Sequence, residues 1–336
     1  MAGSRGLTGM KPLEPGTLFG DRYEILEAVG DGGMGQVYRA VQLPLGQEVA
    51  IKLLGGAASA DLEARFEREA HATARLDHPG CVRILDFGRA AERQFIAMEL
   101  LRGPTLAEVL LESGPLAVAQ AAQITRDLLG AIAHAHGRGV LHRDVKPANV
   151  MLVERGAVLI DFGLATLRDD GHLTQAGGCV GSPSYIAPER LRGEPADERA
   201  DVYSVGVILY EMLGGMRPFI GSSSREIMES ALARPPRPLR VLRPEVGAAL
   251  EAVVSRALAK DPARRYASAA AMLGALEDAL AEIAVPSAAA SATSGSASGS
   301  ATGSTMLQLV FTEPSRWLRL WTWLRYGTWR WRAHRV

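Results

Sequence analysis

Lysine is nearly missing from this chain. Of 37 basic residues in 336, only Lys11, Lys52, Lys146 and Lys260 are Lys, and the rest are Arg. A chain that has largely exchanged Lys for Arg keeps Lys where a compact ammonium is needed, which puts Lys52 and Lys146 first among positions to inspect. Cysteine is almost as scarce: Cys81 and Cys179 cannot build a disulfide framework, in keeping with a reducing cytosol. No run of 18 or more apolar residues exists, so no spanning helix is expected, and the first 16 residues lack the apolar stretch of a secretory signal. Net charge is also absent, with 37 basic against 37 acidic residues, which argues against a general nucleic-acid binder. That zero is a sum of opposed parts. Residues 306–336 hold six Arg against Glu313, or +5, and all five Trp, so the remainder carries −5. Hydrophobic content of 47% and charged content of 22% exclude disorder throughout. The length allows one large two-lobed domain or two ordinary ones.

Residues 1–20 carry Gly and Pro at loop density and read as a flexible leader. From Tyr23 three short β-prone runs follow, YEILEAV, QVYRAVQ and EVAIKLL, separated by Gly or Pro. Residues 59–76 read as a helix with Leu62, Phe66 and Ala70 on one face and Asp61 in the first turn. CVRILDFG and QFIAMEL are two further strand-like runs. Past Gly103 the character changes: 117–136 and 248–259 are Ala/Leu-rich and helical, and 201–213 reads as an apolar, buried helix. A strand-rich beginning and a helix-rich body predict two unequal lobes of one α+β domain, meeting near residues 99–103. The run of small residues that follows Pro286 predicts a flexible linker over residues 285–305.

The chemistry sits in ordered motifs. Gly30, Gly32 and Gly35 fall in a G-x-G-x-x-G pattern followed by Val37, where the missing Cβ atoms let backbone amides approach phosphate oxygens. The pattern alone also fits a plain hairpin turn or a dinucleotide fingerprint. The fingerprint needs a helix after it, and here another strand follows. Lys52 ends the run Val49-Ala50-Ile51-Lys52; taken alone it is either a phosphate ligand or a solvent-facing edge lysine. Glu69 could pair with it, or be an ordinary solvated helix charge. His142-Arg143-Asp144-Val145-Lys146-Pro147-Ala148-Asn149 then offers a proton acceptor, an ammonium and an amide oxygen within one short segment. Asp161, in Asp161-Phe162-Gly163, adds the hard carboxylate oxygen that Mg²⁺ prefers.

Here the sequence resembles the protein kinase superfamily, specifically the bacterial Hanks-type serine/threonine kinases, over roughly residues 23–283. The same order continues through Ala187-Pro188-Glu189, Asp201 in DVYSVG, and Asp261-Pro262-x-x-Arg265. The resemblance implies a two-lobed fold, a small β-rich N-lobe with one key helix (about 21–98), a hinge (99–103) and a larger, mainly helical C-lobe (104–284). It further implies transfer of the γ-phosphoryl of ATP to protein Ser/Thr hydroxyls, with Mg²⁺ or Mn²⁺. Carried over by position, Lys52 would hold the α/β-phosphates, oriented by Glu69. Asp144 would accept the substrate hydroxyl proton, Lys146 would neutralise the γ-phosphate, and Asn149 and Asp161 would bind the metal. Val29 and the glycines would cover the nucleotide. Val37, Ala50 and Met151 would sandwich adenine, backbone groups of Glu99 and Leu101 would hydrogen-bond its edge, and Met98 would be the gatekeeper. Glu189 and Arg265 would form a buried structural pair, and Asp201 would brace the catalytic loop. Lys146 followed by Pro147 matches the Ser/Thr form, with Ser182 where the family usually has Thr. Arg143 before Asp144 implies control by activation-loop phosphorylation, with Thr174 the foremost candidate among Thr166, Thr174, Ser182, Ser184 and Tyr185.

Weaker signals keep their plainer readings. His134 and His136 have no Cys/His partners nearby to make a metal pair, and Cys81 reads as a core filler. The segment 306–336 joins Trp to Arg, a pairing suited to membrane headgroups, to a protein surface, or to no folded role at all. The whole implies a cytoplasmic signalling protein acting on protein substrates, with membrane association through 306–336 as one option. Two rivals stand beside it: a nucleotide-binding scaffold without transfer activity, disfavoured by the intact Asp144, Lys146, Asn149 and Asp161, and a small-molecule kinase, disfavoured by the peptide-binding segments.

Overall fold

In a computed structural model that describes residues 12–32, 35–54, 60–162 and 183–291, the three β-prone runs separated by Gly and Pro become the strands β2 (Tyr23–Gly32), β3 (Gly35–Gln42) and β4 (Gln47–Leu54), preceded by a short β1 (Leu18–Phe19) in the stretch that reads from sequence as a leader. Helix α1 (Ala60–Thr73) follows, then β5 (Ile84–Ala90) and β6 (Arg93–Glu99). These strands form one antiparallel sheet in the order β1-β2-β3-β4-β6-β5. Alternation explains its two faces. Tyr23, Ile25, Tyr38, Val49, Ile51 and Phe95 bury one side, where Phe19 and Tyr23 meet Phe95 edge to face at 5.5 and 5.6 Å. Helix α1 lays Phe66 and Ala70 against Leu54 and Ile96 on the other.

The C-lobe contains α2 (Leu106–Ser113), α3 (Val118–His136), a two-stranded ribbon of β7 (Val150–Val153) and β8 (Gly156–Leu159), then α4 (Pro188–Leu191), α5 (Arg199–Gly214), α6 (Ser224–Ala233), α7 (Leu239–Leu242), α8 (Ala248–Ala257) and α9 (Ala269–Ser291). Thr105 starts α2 with a capping box shared with Glu108. Every residue of α5 from Ala200 to Leu213 is buried, as an all-round apolar helix requires, and α5 forms the axis of the large core. No helix among the described residues is long and apolar enough to cross a membrane.

Three boundaries differ from the sequence reading. Residues 12–20 belong to the N-lobe rather than to a flexible leader: Leu13 packs on the sheet and its N–H donates to Tyr38 Oη at 3.0 Å, and Gly16 N–H donates to Ile25 O. Their Gly and Pro shape a turn that hugs the sheet. Helix α9 runs on to Ser291, past the linker boundary at 285, because Ala has the highest helix propensity and Ala288–Ala290 prolongs it. The fifth strand begins at Ile84, not Cys81: the backbone at 80–82 pairs with Leu159 of β8 instead. Cys81 is a core filler of the C-lobe, its thiol pushed up to about 12 by burial. Residues 292–336, with the rest of the linker and the Trp/Arg segment, lie outside the described residues.

Gly103 fixes where the lobes join. Its φ of 151° suits glycine, and a Cβ there would lie 2.0 Å from Leu152 O. Leu152 N–H donates to Pro104 O at 2.9 Å, so the end of the hinge is bound to β7.

Candidate active site

Lys52 is the first residue to test, because a strand lysine can face either way. It lies on β4 opposite Val37 and Ile96, is only 3% exposed, and its ammonium reaches Asp161 Oδ1 at 2.7 Å. The solvent-facing alternative is excluded. Glu69 lies on α1, and its side chain is outside the described residues. Lys146 donates to Asp144 Oδ2 at 2.8 Å. The Asn149 amide nitrogen donates to Asp144 O at 2.9 Å and to Asp144 Oδ2 at 3.1 Å. The Lys146 bond and the second Asn149 bond converge on Oδ2, and among the described residues no donor reaches Asp144 Oδ1. The same arrangement commits the amide nitrogen of Asn149, so its carbonyl oxygen is the atom that could meet a cation. With the Asp161 carboxylate this is a hard oxygen set that fits a divalent cation.

The catalytic loop holds its shape by buried polar anchors. Arg143 has φ 64° and Asp161 φ 61°, a conformation that costs a non-glycine residue about 1–3 kcal/mol and persists only when its surroundings impose it. At Arg143 it is imposed by Asp201, at the start of α5 and 2% exposed. Its Oδ2 accepts His142 N–H and its Oδ1 accepts Arg143 N–H, both at 2.8 Å, and His136 Nε2 meets Oδ2 at 2.9 Å. The Arg190 guanidinium donates to Arg143 O. Burial alone would push the Asp201 carboxyl up. The His136 hydrogen bond, the nearby imidazoles and the His142 N–H outweigh it and hold the group below the usual carboxylate range. His142 is a neutral imidazole: Asp144 N–H donates to its Nδ1 at 3.3 Å, and its Nε2–H donates to Ile160 O at 3.1 Å. Its ring stacks on Phe162 with centroids 4.6 Å apart, and burial lowers its pKa against the pull of Asp201, Asp144 and Asp161.

Between the lobes lies an open cleft. Val37 and Ala50 roof it, Met151 floors it, and Met98, Glu99 and Leu101 form its rear edge. This is a flat apolar slot bordered by backbone, as a purine ring requires. Val29 packs with Val37 and Ala50, and Gly30, Gly32 and Gly35 pair in the β2–β3 hairpin above. Met98, with Val82 and Asp161, also lines a second pocket between α1, Lys52 and Phe162. Val82 and Ile160 line the slot without having been singled out from the sequence; both lie in apolar runs where nothing but position in the fold marks them.

The segment after 182 is tied to α5. Ser204 Oγ donates to Tyr185 O at 2.8 Å, Tyr185 Oη donates to Glu211 Oε2 at 2.5 Å, and Arg217 donates to Ser184 Oγ at 2.9 Å. Glu189 and Arg265 form a fully buried bidentate pair with both distances 2.7 Å. Thr174, Ser182 and the other activation-segment residues before Pro183 lie outside the described residues. His134 and His136 are not a pair: His136 faces Asp201, while His134 Nε2 accepts Asp77 N–H at 3.2 Å.

Acid stability follows from three partly or fully desolvated imidazoles. Burial lowers His78, His134 and His142 below their ordinary value, so below about pH 6.5 the unfolded chain binds protons that the folded chain refuses. Folding stability is expected to fall as pH drops from 7.5 towards 5. The depressed Asp201 adds a loss below about pH 4, as its carboxylate is protonated. Urea midpoints at pH 7.5, 6 and 5 test this; a flat midpoint across that range contradicts it.

The sequence matches the protein kinase domain family over residues 23–275. It is similar to the serine/threonine-protein kinase pkn3 of Myxococcus xanthus, 40% identical over 76% of this chain and 49% of that protein. It is likewise similar to serine/threonine-protein kinase PknB of Mycolicibacterium smegmatis, 41% identical over 75% of this chain and 42% of that protein. PrkC of Bacillus subtilis, also a serine/threonine-protein kinase, is 38% identical over 74% and 39% respectively. This chain spans half or less of the length of these curated relatives. It belongs to the protein kinase family, and its lobes, hinge and cleft are those of the two-lobed kinase fold. That family uses ATP and a divalent metal.

Proposed function

We propose that this chain is a bacterial-type serine/threonine protein kinase that transfers the γ-phosphoryl of ATP to Ser or Thr hydroxyls of protein substrates in cytoplasmic signalling. The single observation that supports this most is the meeting of Lys52, Asp161, Asp144, Lys146 and Asn149 from three separate motifs beside an apolar slot. Lys52 grips the α/β-phosphates, with Glu69 as its orienting partner. Glu99 O and Leu101 N–H read the adenine edge. Asp144 Oδ1 takes the acceptor hydroxyl proton as that oxygen attacks the γ-phosphorus and ADP leaves, and Lys146 meets the charge on the transferring group. Asn149 and Asp161 would hold Mg²⁺, which would supply electrostatic neutralisation of the phosphates. Arg143 is the receptor for an activation-loop phosphate, with Thr174 the principal site and Ser182 near the acceptor. The Trp/Arg-rich segment 306–336 is a contact segment towards a membrane surface or a protein, and nucleic acid is not a partner.

The test is incubation of the full chain with γ-labelled ATP, Mg²⁺ and a mixed protein substrate, followed by phosphoamino-acid analysis and phosphosite mapping. Metal-dependent label on phosphoserine and phosphothreonine is expected, including Thr174. Label confined to phosphotyrosine, or no label with active nucleotide binding, overturns the reading.

A further inference from the structure

We propose that Arg155 is a positioning residue that sets nucleotide affinity by strapping the hinge from behind, and that Arg102 and Glu48 form a second strap crossing the lobes in the opposite sense. The proposal rests on the kinase reading above, in which Glu99 carries the adenine-reading carbonyl. Arg155 occupies the turn between β7 and β8, on the C-lobe. Its guanidinium holds Glu99, the last residue of the N-lobe strand β6, bidentately: Nη2 to Oε1 at 2.7 Å and Nη1 to Oε2 at 2.9 Å. Its Nε donates to Pro79 O at 3.0 Å, in the connection between α1 and β5. Glu99 Oε1 also accepts Arg83 N–H at 2.9 Å, and Glu99 N–H donates to Arg83 O at 3.0 Å. One guanidinium thus joins the hinge, the α1–β5 connection and the C-lobe ribbon.

Arg102 does the reverse. It lies next to Gly103, where the chain is bound to β7, and its Nη2 donates to Glu48 on the N-lobe strand β4. Glu48 is held in turn by Arg39, which also pairs with Glu27. The first strap runs from the N-lobe end of the hinge down to the C-lobe, and the second from its C-lobe end up to the N-lobe. Two ties of opposite sense on a five-residue connection restrict both opening and twisting of the lobes, so the adenine edge meets donors that are already placed. Arg155 is 40% exposed and touches no residue of the phosphate-transfer set, so an ordinary surface ion pair would leave nucleotide binding unmoved. The bidentate geometry and the third bond to Pro79 O are what separate it from one.

The test uses the full chain: calorimetric Kd for ADP with Mg²⁺, KM and kcat for ATP, and Tm, in wild type, Arg155→Ala, Arg155→Lys, Glu99→Gln and the Arg155→Ala/Glu99→Gln double variant. Arg155→Ala is expected to weaken ADP and raise KM for ATP about 3–10-fold with kcat changed less than 2-fold. Arg155→Lys should recover part of that, and the double variant should be no worse than Arg155→Ala alone. An ADP Kd within 1.5-fold of wild type in a folded Arg155→Ala protein overturns the strap, as does a fall in kcat with Kd unmoved. A wild type that binds ADP without transferring phosphate overturns the kinase proposal instead, and the strap is then judged on Kd alone.

Discussion

Replacing Asp144 with Asn is expected to lower kcat by roughly 10²- to 10⁴-fold, the usual contribution of a positioned proton acceptor, which is about 3–5.5 kcal/mol in the barrier. The reason is local. Lys146 and Asn149 both bond Asp144 Oδ2, so Oδ1 is the oxygen left to receive a proton. An amide of the same shape can keep a hydrogen bond to Lys146 through its oxygen but cannot accept a proton from an alcohol. The adenine slot and Lys52 are not touched by the change, since Asp144 hangs from the C-lobe below them. Nucleotide affinity should therefore stay within about 3-fold, and the loss should appear in kcat. Labelled-ATP transfer compared with ADP calorimetry separates the two. Equal phosphorylation by wild type and variant would sink the assignment of Asp144. Equal absence of phosphorylation in both, with normal ADP binding, would favour the scaffold rival.

Much of this site could be read from the sequence, and the limits are physical. Motif order placed Lys52, Asp144, Lys146, Asn149 and Asp161, because each position demands one functional group and tolerates little else. Lysine scarcity pointed the same way before any motif was recognised, and a third Lys joins them: Lys260 lies over the Phe219 ring at 3.6 Å and donates to Ala231 O, its pKa lowered by burial to about 8. The contacts that hold those groups were less legible. In the sequence His136 reads only as half of a weak metal pair with His134, whereas its ring faces Asp201 across 65 residues of sequence. Arg155 gives no signal at all, since nothing in a turn between two short strands reveals that it lies behind the hinge. The leader and linker boundaries failed for a related reason. Composition reports what a segment is able to bury, but Leu13 is ordered by a sheet that its neighbours in sequence do not reveal.

The other large effect is on stability. Arg265→Ala is expected to cost roughly 3–5 kcal/mol, the range for breaking one side of a buried ion pair. Arg265 is 0% exposed and all five of its donors are used. Two meet the Glu189 oxygens at 2.7 Å, and the others reach Ala259 O at 2.8 Å, Arg199 O at 3.1 Å and Lys260 O at 3.3 Å. Alanine would strand the Glu189 carboxylate in the core with three backbone carbonyls and would leave a void beside Tyr203, on whose ring the guanidinium rests at 4.9 Å. With a domain stability of about 5–15 kcal/mol, that removes a large share, and Tm should fall by about 6–20 °C at roughly 2–4 °C per kcal/mol. Lysine should do only somewhat better, because three donors on a flexible stem cannot reproduce the fork. Glu189 lies in the first turn of α4, directly after the segment proposed to bind the acceptor, so residual folded protein should also show a raised KM for the protein substrate. The decisive control is the pair Arg265→Met with Glu189→Gln. If the cost lies in the stranded charge rather than in packing, the double variant regains stability relative to Arg265→Met alone. Strictly additive losses, or an Arg265→Ala cost below about 1 kcal/mol in urea, would show that the pair is not what holds α4 to the core.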